Sequence, residues 1–324
     1  MNAHADLTGK NANAKMALIT ASPLERYTVS TQKTWRALEA ATGTEDGDET
    51  SSKRLSSVSI TKPSELSKTL TQLDQTKVKL IWLQGTALSE PLFKIAKHFP
   101  KQTFFVLNAK GKTRKNVWRL HFKRNQGAYL AGIAAAETTK TNHIGVITDS
   151  HQPSSKFIVN FEKGIRSQAK KRHRTITVTV KTITSKTSDD KIQEAVQTLI
   201  TQKNDLILND TEQESATVFT AVKKHNETRP VTHKIWVIGT DQDQETSGSY
   251  DAKGGQHANF VLTTITTSIK SVVTDLTKQW EQGKLPRKKV LIYDVGNNGV
   301  MLTRSRLDTK TWLIVQKARR ALSR

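Results

Sequence analysis

The sequence predicts an α/β protein built as two doubly wound parallel-sheet lobes joined by crossover hinge segments. Its 324 residues exceed what one hydrophobic core usually organises, which favours two domains. Short apolar runs alternate with helical patterns along most of the chain, and this alternation is typical of parallel sheets covered by helices on both faces. The chain therefore has enough apolar sequence for two separate cores.

The first cycle of this alternation occupies the first 125 residues. Met16–Thr20 predicts a buried strand, and Val29–Thr42, with apolar residues three and four positions apart, predicts a helix. Residues 42–57 are rich in small and polar side chains and predict a loop. The elements predicted after that loop are strand 58–60, helix 63–73, strand 79–83, helix 91–98, strand 103–107 and strand 117–122.

The second cycle begins with a helix of small residues at 126–138. It continues with strand 144–147, helix 155–171, strand 175–183, helix 189–202, strand 205–208, helix 211–225 and strand 235–239. A remaining strand at 259–262, helix at 264–282 and strand at 290–293 are too few for a third domain. We therefore expect them to cross back and complete each lobe in turn.

These patterns predict a disordered leader at residues 1–15 and two lobes of discontinuous sequence. Lobe 1 is predicted to comprise residues 16–125 plus 245–284, and lobe 2 residues 126–244 plus 285–318. In such folds a ligand lies in the crevice at the carboxyl ends of the strands. We expect a small ligand to bind between the lobes.

The charge balance is strongly basic, with 51 lysines and arginines against 29 acids and a formal net charge of +22. Such an excess makes an anionic cell-wall polymer a candidate partner. The dense clusters are short, however, at residues 170–174 and 284–289, and no nucleic-acid-reading motif accompanies them. We predict that these clusters are solvated faces and expect no specific nucleic acid as a partner.

Several enzyme and metal signatures are missing from the sequence. There is no cysteine, which excludes disulfides, thiolate zinc sites and cysteine nucleophiles. None of the 9 histidines has a spacing that would place two metal ligands on one helical face. The chain also contains no nucleophile elbow, Walker loop or dinucleotide fingerprint. We predict a binding protein with no catalytic activity, no cofactor and no metal.

Five segments together carry a resemblance to a known family. They are residues 126–132, residues 144–147 with Pro153 and 161–164, residues 238–244, residues 261–264 and residues 298–300. Their order and spacing over residues 16–302 resemble the basic membrane protein family of bacterial substrate-binding lipoproteins, which includes purine-nucleoside-binding lipoproteins. This resemblance implies the type I periplasmic-binding-protein fold, a nucleoside-like ligand and an ABC transporter permease as partner. It also implies an extracellular protein whose precursor is lipid-anchored, with the signal and lipobox absent from this chain.

The resemblance assigns roles to particular positions and also shows departures from the family pattern. Asp241 looks like the ribose-binding aspartate of the family, although an aspartate there could also cap a turn. Nucleoside-binding members of the family carry a phenylalanine that stacks on the ligand just before the first helix. Residues 27–31 occupy that place here, so Tyr27 is the candidate for stacking on the ligand. Thr267 stands where the family has a lysine, and Asp210 with Thr211 replaces a glycine-rich turn with helix-capping residues. The predicted ligand-binding residues are Asp241, Tyr27, Thr31, Asp149, Asp210 and Thr267.

Three classes of function stay open at this point. The first is an extracytoplasmic solute receptor of an ABC importer, which closes over a nucleoside or a similar small polar molecule. The second is a regulatory or signalling protein that keeps the receptor fold without transport, since some family members resemble regulators of bacterial competence. The third is a basic cell-surface adhesin that binds anionic polymers. The departures at Tyr27 and Thr267 make the second class a serious alternative.

Overall fold

A computed structural model of the chain describes residues 16–21, 29–42, 54–109, 111, 113–149, 156–184, 187–211 and 215–323. The predicted leader at 1–15 lies outside the described residues. The chain divides into two compact units, and each is described here by itself. Unit 1 comprises Met1–Phe122 with Ser268–Tyr293, and unit 2 comprises Lys123–Thr267 with Asp294–Arg324.

Unit 1 contains a six-stranded parallel sheet with the strand order β13-β5-β4-β3-β1-β2. Its elements in chain order are β1 (Met16–Thr20), α1 (Val29–Thr42), β2 (Leu55–Ser59), α2 (Leu66–Gln75), β3 (Leu80–Gln84), α3 (Thr86–Ile95), β4 (Thr103–Leu107), β5 (Val117–Phe122), α8 (Ile269–Glu281) and β13 (Val290–Tyr293). The first eight come from one stretch of the chain, and α8 and β13 come from a second.

The central strands of unit 1 consist mostly of apolar residues because both faces of the sheet are covered. Leu66, Leu70 and Leu92 of α2 and α3 pack with Ile19 and Ile81 on one face. Trp82 of β3, which points to the opposite face, stacks on Phe105 of β4 at 4.5 Å between ring centroids. The apolar runs in the sequence therefore predicted these strands correctly.

Unit 2 contains a second six-stranded sheet, with the strand order β14-β12-β9-β8-β6-β7. Its elements are α4 (Arg124–Thr138), β6 (His143–Thr148), α5 (Lys156–Lys171), β7 (Thr177–Thr182), α6 (Asp189–Thr201), β8 (Leu206–Asp210), α7 (Ser215–Glu227), β9 (Trp236–Asp241), β10 (Ser249–Asp251), β11 (His257–Asn259), β12 (Val261–Thr267), β14 (Val300–Leu302) and α9 (Thr309–Leu322). Strand β14 is antiparallel to β12, and the other neighbours are parallel. Strands β10 and β11 form a separate antiparallel pair. The predicted α/β class with two doubly wound sheets is confirmed.

Helices α4 and α5 approach each other at backbone distance through two glycines. A Cβ atom at Gly164 of α5 would overlap the carbonyl oxygen of Tyr129, and one at Gly132 of α4 would overlap that of Phe161. Gly127, one turn earlier in α4, instead faces Ile265. The sequence predicted that the small residues of this helix serve packing against a sheet. That holds for Gly127, whereas Gly132 serves packing against another helix.

Strand β12 departs from the prediction, which began a helix at residue 264. The strand runs from Val261 to Thr267, and α8 begins only at Ile269. Five of its seven residues are β-branched threonine or isoleucine, which favour a pleated strand. The side chains of Thr263 and Thr264 are fully buried. The Thr263 hydroxyl donates to the carbonyl oxygen of Thr303, and the backbone amide of Thr264 donates to the Thr303 hydroxyl, contacts that an apolar pattern does not reveal.

The predicted lobe boundaries also differ from the sheets in two segments. Residues 245–267 were assigned to lobe 1, yet β12 pairs with β9 in unit 2. Residues 285–293 were assigned to lobe 2, yet β13 pairs with β5 in unit 1. Helix α9 was not predicted, and α3 begins at Thr86 rather than at Pro91, which lies inside it. The turn before α3 depends on Gly85, whose φ of 125° suits glycine alone.

We expect Gly164→Ala to lower the free energy of unfolding by about 1–3 kcal/mol, because the added methyl group has no room between α4 and α5. Chemical denaturation measures this change. The matched control is Lys163→Ala, at an exposed position of the same helix, which should stay within about 0.5 kcal/mol of wild type. Helix propensity alone favours alanine over glycine by about 1 kcal/mol, so a stabilised Gly164→Ala variant would contradict the close packing.

Candidate functional site

Three neighbouring strands of unit 2 lead into acidic residues at one edge of the sheet. Asp149 follows β6, and β8 and β9 end in Asp210 and Asp241. Because these three strands are parallel and adjacent, their carboxyl ends meet at the same edge. The backbone amide of Asp149 donates a hydrogen bond to the carbonyl oxygen of Asp210 at 3.4 Å. The acidic cluster consists of Asp149, Asp210 and Asp241. It lies at the edge of the sheet where doubly wound folds bind their ligands.

Arg124, in the first turn of α4, brings a positive charge to the acidic cluster. Its Nη2 atom lies 3.0 Å from Oδ1 of Asp241 and 3.6 Å from Oδ1 of Asp210. The guanidinium carbon lies 5.0 Å from the centroid of the Phe157 ring in the first turn of α5, a cation–π distance. One cation therefore bridges two carboxylates and also contacts an aromatic ring.

Asp210 is the most strongly perturbed carboxyl group of the cluster. Burial raises its pKa from 3.8 to about 7, and the charges of Asp241 and Asp149 act in the same direction. The Arg124 charge and a hydrogen bond from the Thr148 hydroxyl, 3.2 Å away, oppose this shift without cancelling it. At neutral pH the site therefore holds a carboxyl group that is present in both its protonated and its ionised form.

Asp241 has an unusual backbone conformation at the end of β9. Its φ angle is 71°, in the left-handed region, which aspartate and asparagine adopt more readily than most residues. The residue is only 7% exposed. The left-handed turn at this position ends the strand, and the Arg124 guanidinium holds the carboxylate at the edge of the sheet.

Thr267 ends β12, the strand on the other side of β9. The register pairs its neighbour Thr266 with Asp241, which places Thr267 at the same edge as the acidic cluster. Thr267 is 8% exposed, and its hydroxyl has no hydrogen-bond partner among the described residues. A buried hydroxyl without a partner loses hydrogen bonds to water, so a ligand atom there would restore them.

The structure brings together some of the predicted site residues and not others. The acidic cluster lies at one edge of unit 2, and Thr267 ends a strand at that edge. Thr31 is buried near the start of α1 in unit 1, where its neighbour Ser30 accepts a hydrogen bond from Gln84 at the end of β3. Tyr27 lies outside the described residues. Ligand binding by these residues stays a prediction.

The predicted helix-capping role of Asp210 is wrong. Strand β8 runs through Asp210, and α7 begins only at Ser215. Thr211, predicted as the second cap, donates its hydroxyl hydrogen bond to the side chain of Asn209 at 2.8 Å. Asp210 therefore ends a buried strand and belongs to the acidic cluster, and it does not open a helix.

Sequence reasoning missed Arg124 and Phe157. One signal pointed to Arg124, since a cation in the first turn of a helix is unfavourable for the helix dipole and needs a compensating anion. Its partner Asp241 lies 117 positions further along the chain, a separation that no local pattern bridges. Phe157 carried no separate signal, because its helix is amphipathic and an aromatic residue there is also expected in the core.

Among the described residues, no group of three or more His, Cys, Asp or Glu side chains is arranged to hold a metal ion. No helix in the described part of the chain has the length and apolar content needed to span a bilayer.

Comparison with known sequences gives one family and several relatives. The family model Bmp, described as "ABC transporter substrate-binding protein PnrA-like", matches residues 27–320. The ABC transporter nucleoside-binding protein BmpA of Lactococcus lactis is 34% identical over 229 residues, which cover 71% of this chain and 64% of that protein. The transcriptional activator protein med of Bacillus subtilis is 24% identical over 209 residues, covering 64% of this chain and 58% of that protein. The matched part thus spans less than two thirds of the length of these relatives.

Comparison with solved structures supports the fold. A solute-binding protein of an Aeropyrum pernix ABC transporter system superimposes with a TM-score of 0.73 at 15% identity, covering 96% of this chain and 91% of that one. A transcriptional activator of the comK gene from Bacillus halodurans superimposes with a TM-score of 0.72 at 20% identity, covering 96% and 98%. At these identities the likeness shows a shared fold, which is found in solute receptors and in regulators.

We expect Asp210→Asn to stabilise the protein at pH 8 relative to wild type by more than about 1 kcal/mol. The pKa of Asp210 is higher in the folded chain than in the unfolded chain, so the unfolded chain loses this proton first. The free energy of unfolding of the wild type therefore falls as pH rises from 3.8 to about 7, and the variant lacks this loss. Denaturation at pH 4 and pH 8 measures the difference between the two proteins, which should be small at the lower pH.

Asp243→Asn is the matched control, because it removes a neighbouring carboxylate that is exposed. This control measures how the loss of one exposed negative charge changes the free energy of unfolding. A constant difference between Asp210→Asn and wild type from pH 4 to pH 8 would argue against the buried, protonated state of Asp210.

Proposed function

Because the chain belongs to the Bmp family of PnrA-like ABC transporter substrate-binding proteins, we propose that it is the solute receptor of an ABC importer and binds a nucleoside or a similar small polar molecule. The observation that carries this proposal is the acidic cluster held by Arg124 at the carboxyl edge of the unit 2 sheet. The receptor acts by binding alone and catalyses no reaction.

The chemistry of the acidic cluster suits a ligand rich in hydroxyl groups. An ionised carboxylate accepts hydrogen bonds at both oxygens, which matches the two adjacent hydroxyls of a ribose. The Arg124 guanidinium fixes the orientation of the Asp241 carboxylate before a ligand arrives, which reduces the entropy lost on binding. Asp210, with a pKa of about 7, can both donate and accept a hydrogen bond near neutral pH. The site can therefore match a neutral, polar molecule.

Two further side chains, one aromatic and one polar, suit a ligand that contains both a ring and polar groups. Phe157 is half-buried, and its ring lies against the guanidinium of Arg124. An aromatic face next to hydrogen-bond acceptors is the pairing that a base attached to a sugar requires. The hydroxyl of Thr267, which has no hydrogen-bond partner in the described part of the chain, offers one more polar contact at the same edge. Phe157 thus supplies the aromatic ring for which the sequence offered only Tyr27.

The family also suggests the partners and the location of the protein. A substrate-binding protein delivers its ligand to the permease of its transporter, so an ABC transporter permease is the proposed protein partner. We place the working protein outside the cytoplasm, with lipid anchoring of the precursor to the cell membrane. Binding of an anionic cell-wall polymer stays a prediction that rests on the net charge of +22.

A regulatory protein without a transport role is the second candidate. It is favoured by the relatives that are described as transcriptional activators, in Bacillus subtilis and Bacillus halodurans. Such a protein could keep the ligand site and use it to sense a solute. The two candidates differ in the macromolecule that they contact, which is a permease for the receptor and DNA or another regulator for the alternative.

We expect Asp241→Asn to weaken nucleoside binding by about one to two decades while the fold stays intact. The substitution removes the charge of an acceptor in a buried site, a loss of roughly 1.5–3 kcal/mol. Asparagine is a better test than alanine because it tolerates the left-handed backbone at this position. Calorimetric titration with adenosine, guanosine, inosine and uridine measures the affinities, and thermal unfolding checks the fold.

Asp243→Asn is again the control, since it makes the same chemical change two residues away at an exposed side chain. It should leave the affinity unchanged. Saturable nucleoside binding that Asp241→Asn does not weaken would remove Asp241 from the site, and a wild type that binds none of the four nucleosides would favour another ligand class.

We expect only weak association with DNA, which should decrease steeply as salt concentration rises. A basic protein without a reading motif binds the phosphate backbone mainly by releasing counterions. Fluorescence anisotropy of labelled duplexes at several salt concentrations measures this association. Nanomolar, sequence-selective affinity at physiological salt would overturn the receptor proposal in favour of the regulator.

A further inference from the structure

A basic cavity lies at the amino edge of the unit 2 sheet, at the opposite ends of the strands from the acidic cluster. Three parallel neighbouring strands begin there, and a lysine precedes each of them: Lys140 before β6, Lys203 before β8 and Lys234 before β9. Because the strands run parallel, the turns that lead into them meet at one edge. All three lysines line one cavity of about 600 Å³.

The cavity lining carries an excess of positive charge. Arg229 and the histidines 225 and 233 join the three lysines, and Asp205 is the one carboxylate among the described lining residues. Asp205 is already engaged, since it accepts hydrogen bonds from the Thr139 hydroxyl at 2.6 Å and from the backbone amides of residues 140 and 141 at 2.6 and 3.1 Å. The lysines and Arg229 form no ion pair with any described carboxylate. Among the described lining residues, the charge of Asp205 alone offsets the repulsion between these cations.

Lys234 is the most constrained of these cations. Its Nζ atom lies 4.1 Å from the centroid of the Trp236 ring, which holds the ammonium group in place by a cation–π contact. Burial lowers the pKa of Lys234, and the charges of Arg306 and Lys140 lower it further. Burial together with the charge of Arg229 lowers the pKa of His225 in the same way. An anion in the cavity would relieve both effects.

We propose that this cavity is a second binding site, separate from the nucleoside site, for a small and multiply charged phosphate compound. The chemistry of the lining favours phosphate, because an arginine fork with several lysine point charges is the donor set that proteins use for it. The volume lies within the range of small-molecule sites, so a compact anion such as a diphosphate fits the space. The proposal does not depend on nucleoside binding, because none of these residues lies at the carboxyl edge.

Pyrophosphate is the probe, because it carries the proposed charge and contains no nucleoside that could enter the other site. We expect saturable binding to the wild type in calorimetry, and we expect the double variant Arg229→Gln, Lys234→Gln to weaken it by at least about tenfold. The control variant Lys170→Gln, Lys171→Gln removes two exposed charges from α5 of the same unit and should change the affinity by less than about twofold. Thermal unfolding verifies that each variant is folded.

The single variants Lys140→Gln and Lys203→Gln, at exposed positions on the cavity rim, keep the test decisive if the double variant unfolds. Each should weaken pyrophosphate binding while the thermal unfolding temperature stays as in wild type. Absence of saturable pyrophosphate binding, or an equal loss in the Lys170→Gln, Lys171→Gln control, would overturn the proposal. Equal affinity for succinate would overturn the assignment to phosphate, and binding of a DNA duplex without binding of pyrophosphate would overturn the assignment to a small ligand.

Discussion

The candidate site of unit 2 depends on the close approach of the backbones of α4 and α5. Gly132 and Gly164 let the two helices meet where any larger side chain would separate them. The first turns of these helices carry Arg124 and Phe157, so the glycine contact also sets the distance between the guanidinium and the aromatic ring. Arg124 in turn positions Asp241 and stands opposite Asp210. The close packing of α4 against α5 thus helps to determine the positions of the polar groups at the edge of the sheet.

The two edges of the unit 2 sheet carry opposite charges. At the carboxyl edge the acidic cluster contains three aspartates, two of which pair with Arg124, whereas at the amino edge the lysines that precede β6, β8 and β9 line a cavity with one carboxylate among its described lining residues. The parallel arrangement of β6, β8 and β9 makes this separation possible, because the three strands begin at one edge of the sheet and end at the other. The helix dipoles add little to it, since Arg124 stands at a helix start, against the favoured sign. Charge is therefore distributed unevenly in this unit, with lysines at the amino edge of the sheet and aspartates at its carboxyl edge.

Most strands could be predicted from the sequence because their side chains are buried on both faces and read as short apolar runs. Strand β12 could not, because its buried side chains are mostly threonines, and Thr263 and Thr264 are held by hydrogen bonds to Thr303, which lies about 40 positions further along the chain. Asp241 was found through its position after an apolar strand and through the family resemblance. Arg124 was missed because its partners lie far along the chain, and Asp210 was misinterpreted because a capping residue and a strand-end acid look alike locally. Long-range charge pairing is thus the part of the site that local patterns do not contain.

The discontinuous sequence of each unit has a consequence for the order in which the chain can fold during its synthesis. Unit 1 lacks α8 and the edge strand β13 until residue 293 has been made, and unit 2 lacks β14 and α9 until the last residues follow. Proteins whose domains are continuous usually fold their amino-terminal domain while the ribosome is still working. Here unit 1 cannot be complete before residues 123–267 of unit 2 have been made, because its last segment, Ser268–Tyr293, follows them. The two units therefore complete their sheets close together in time, although one begins well before the other in the sequence.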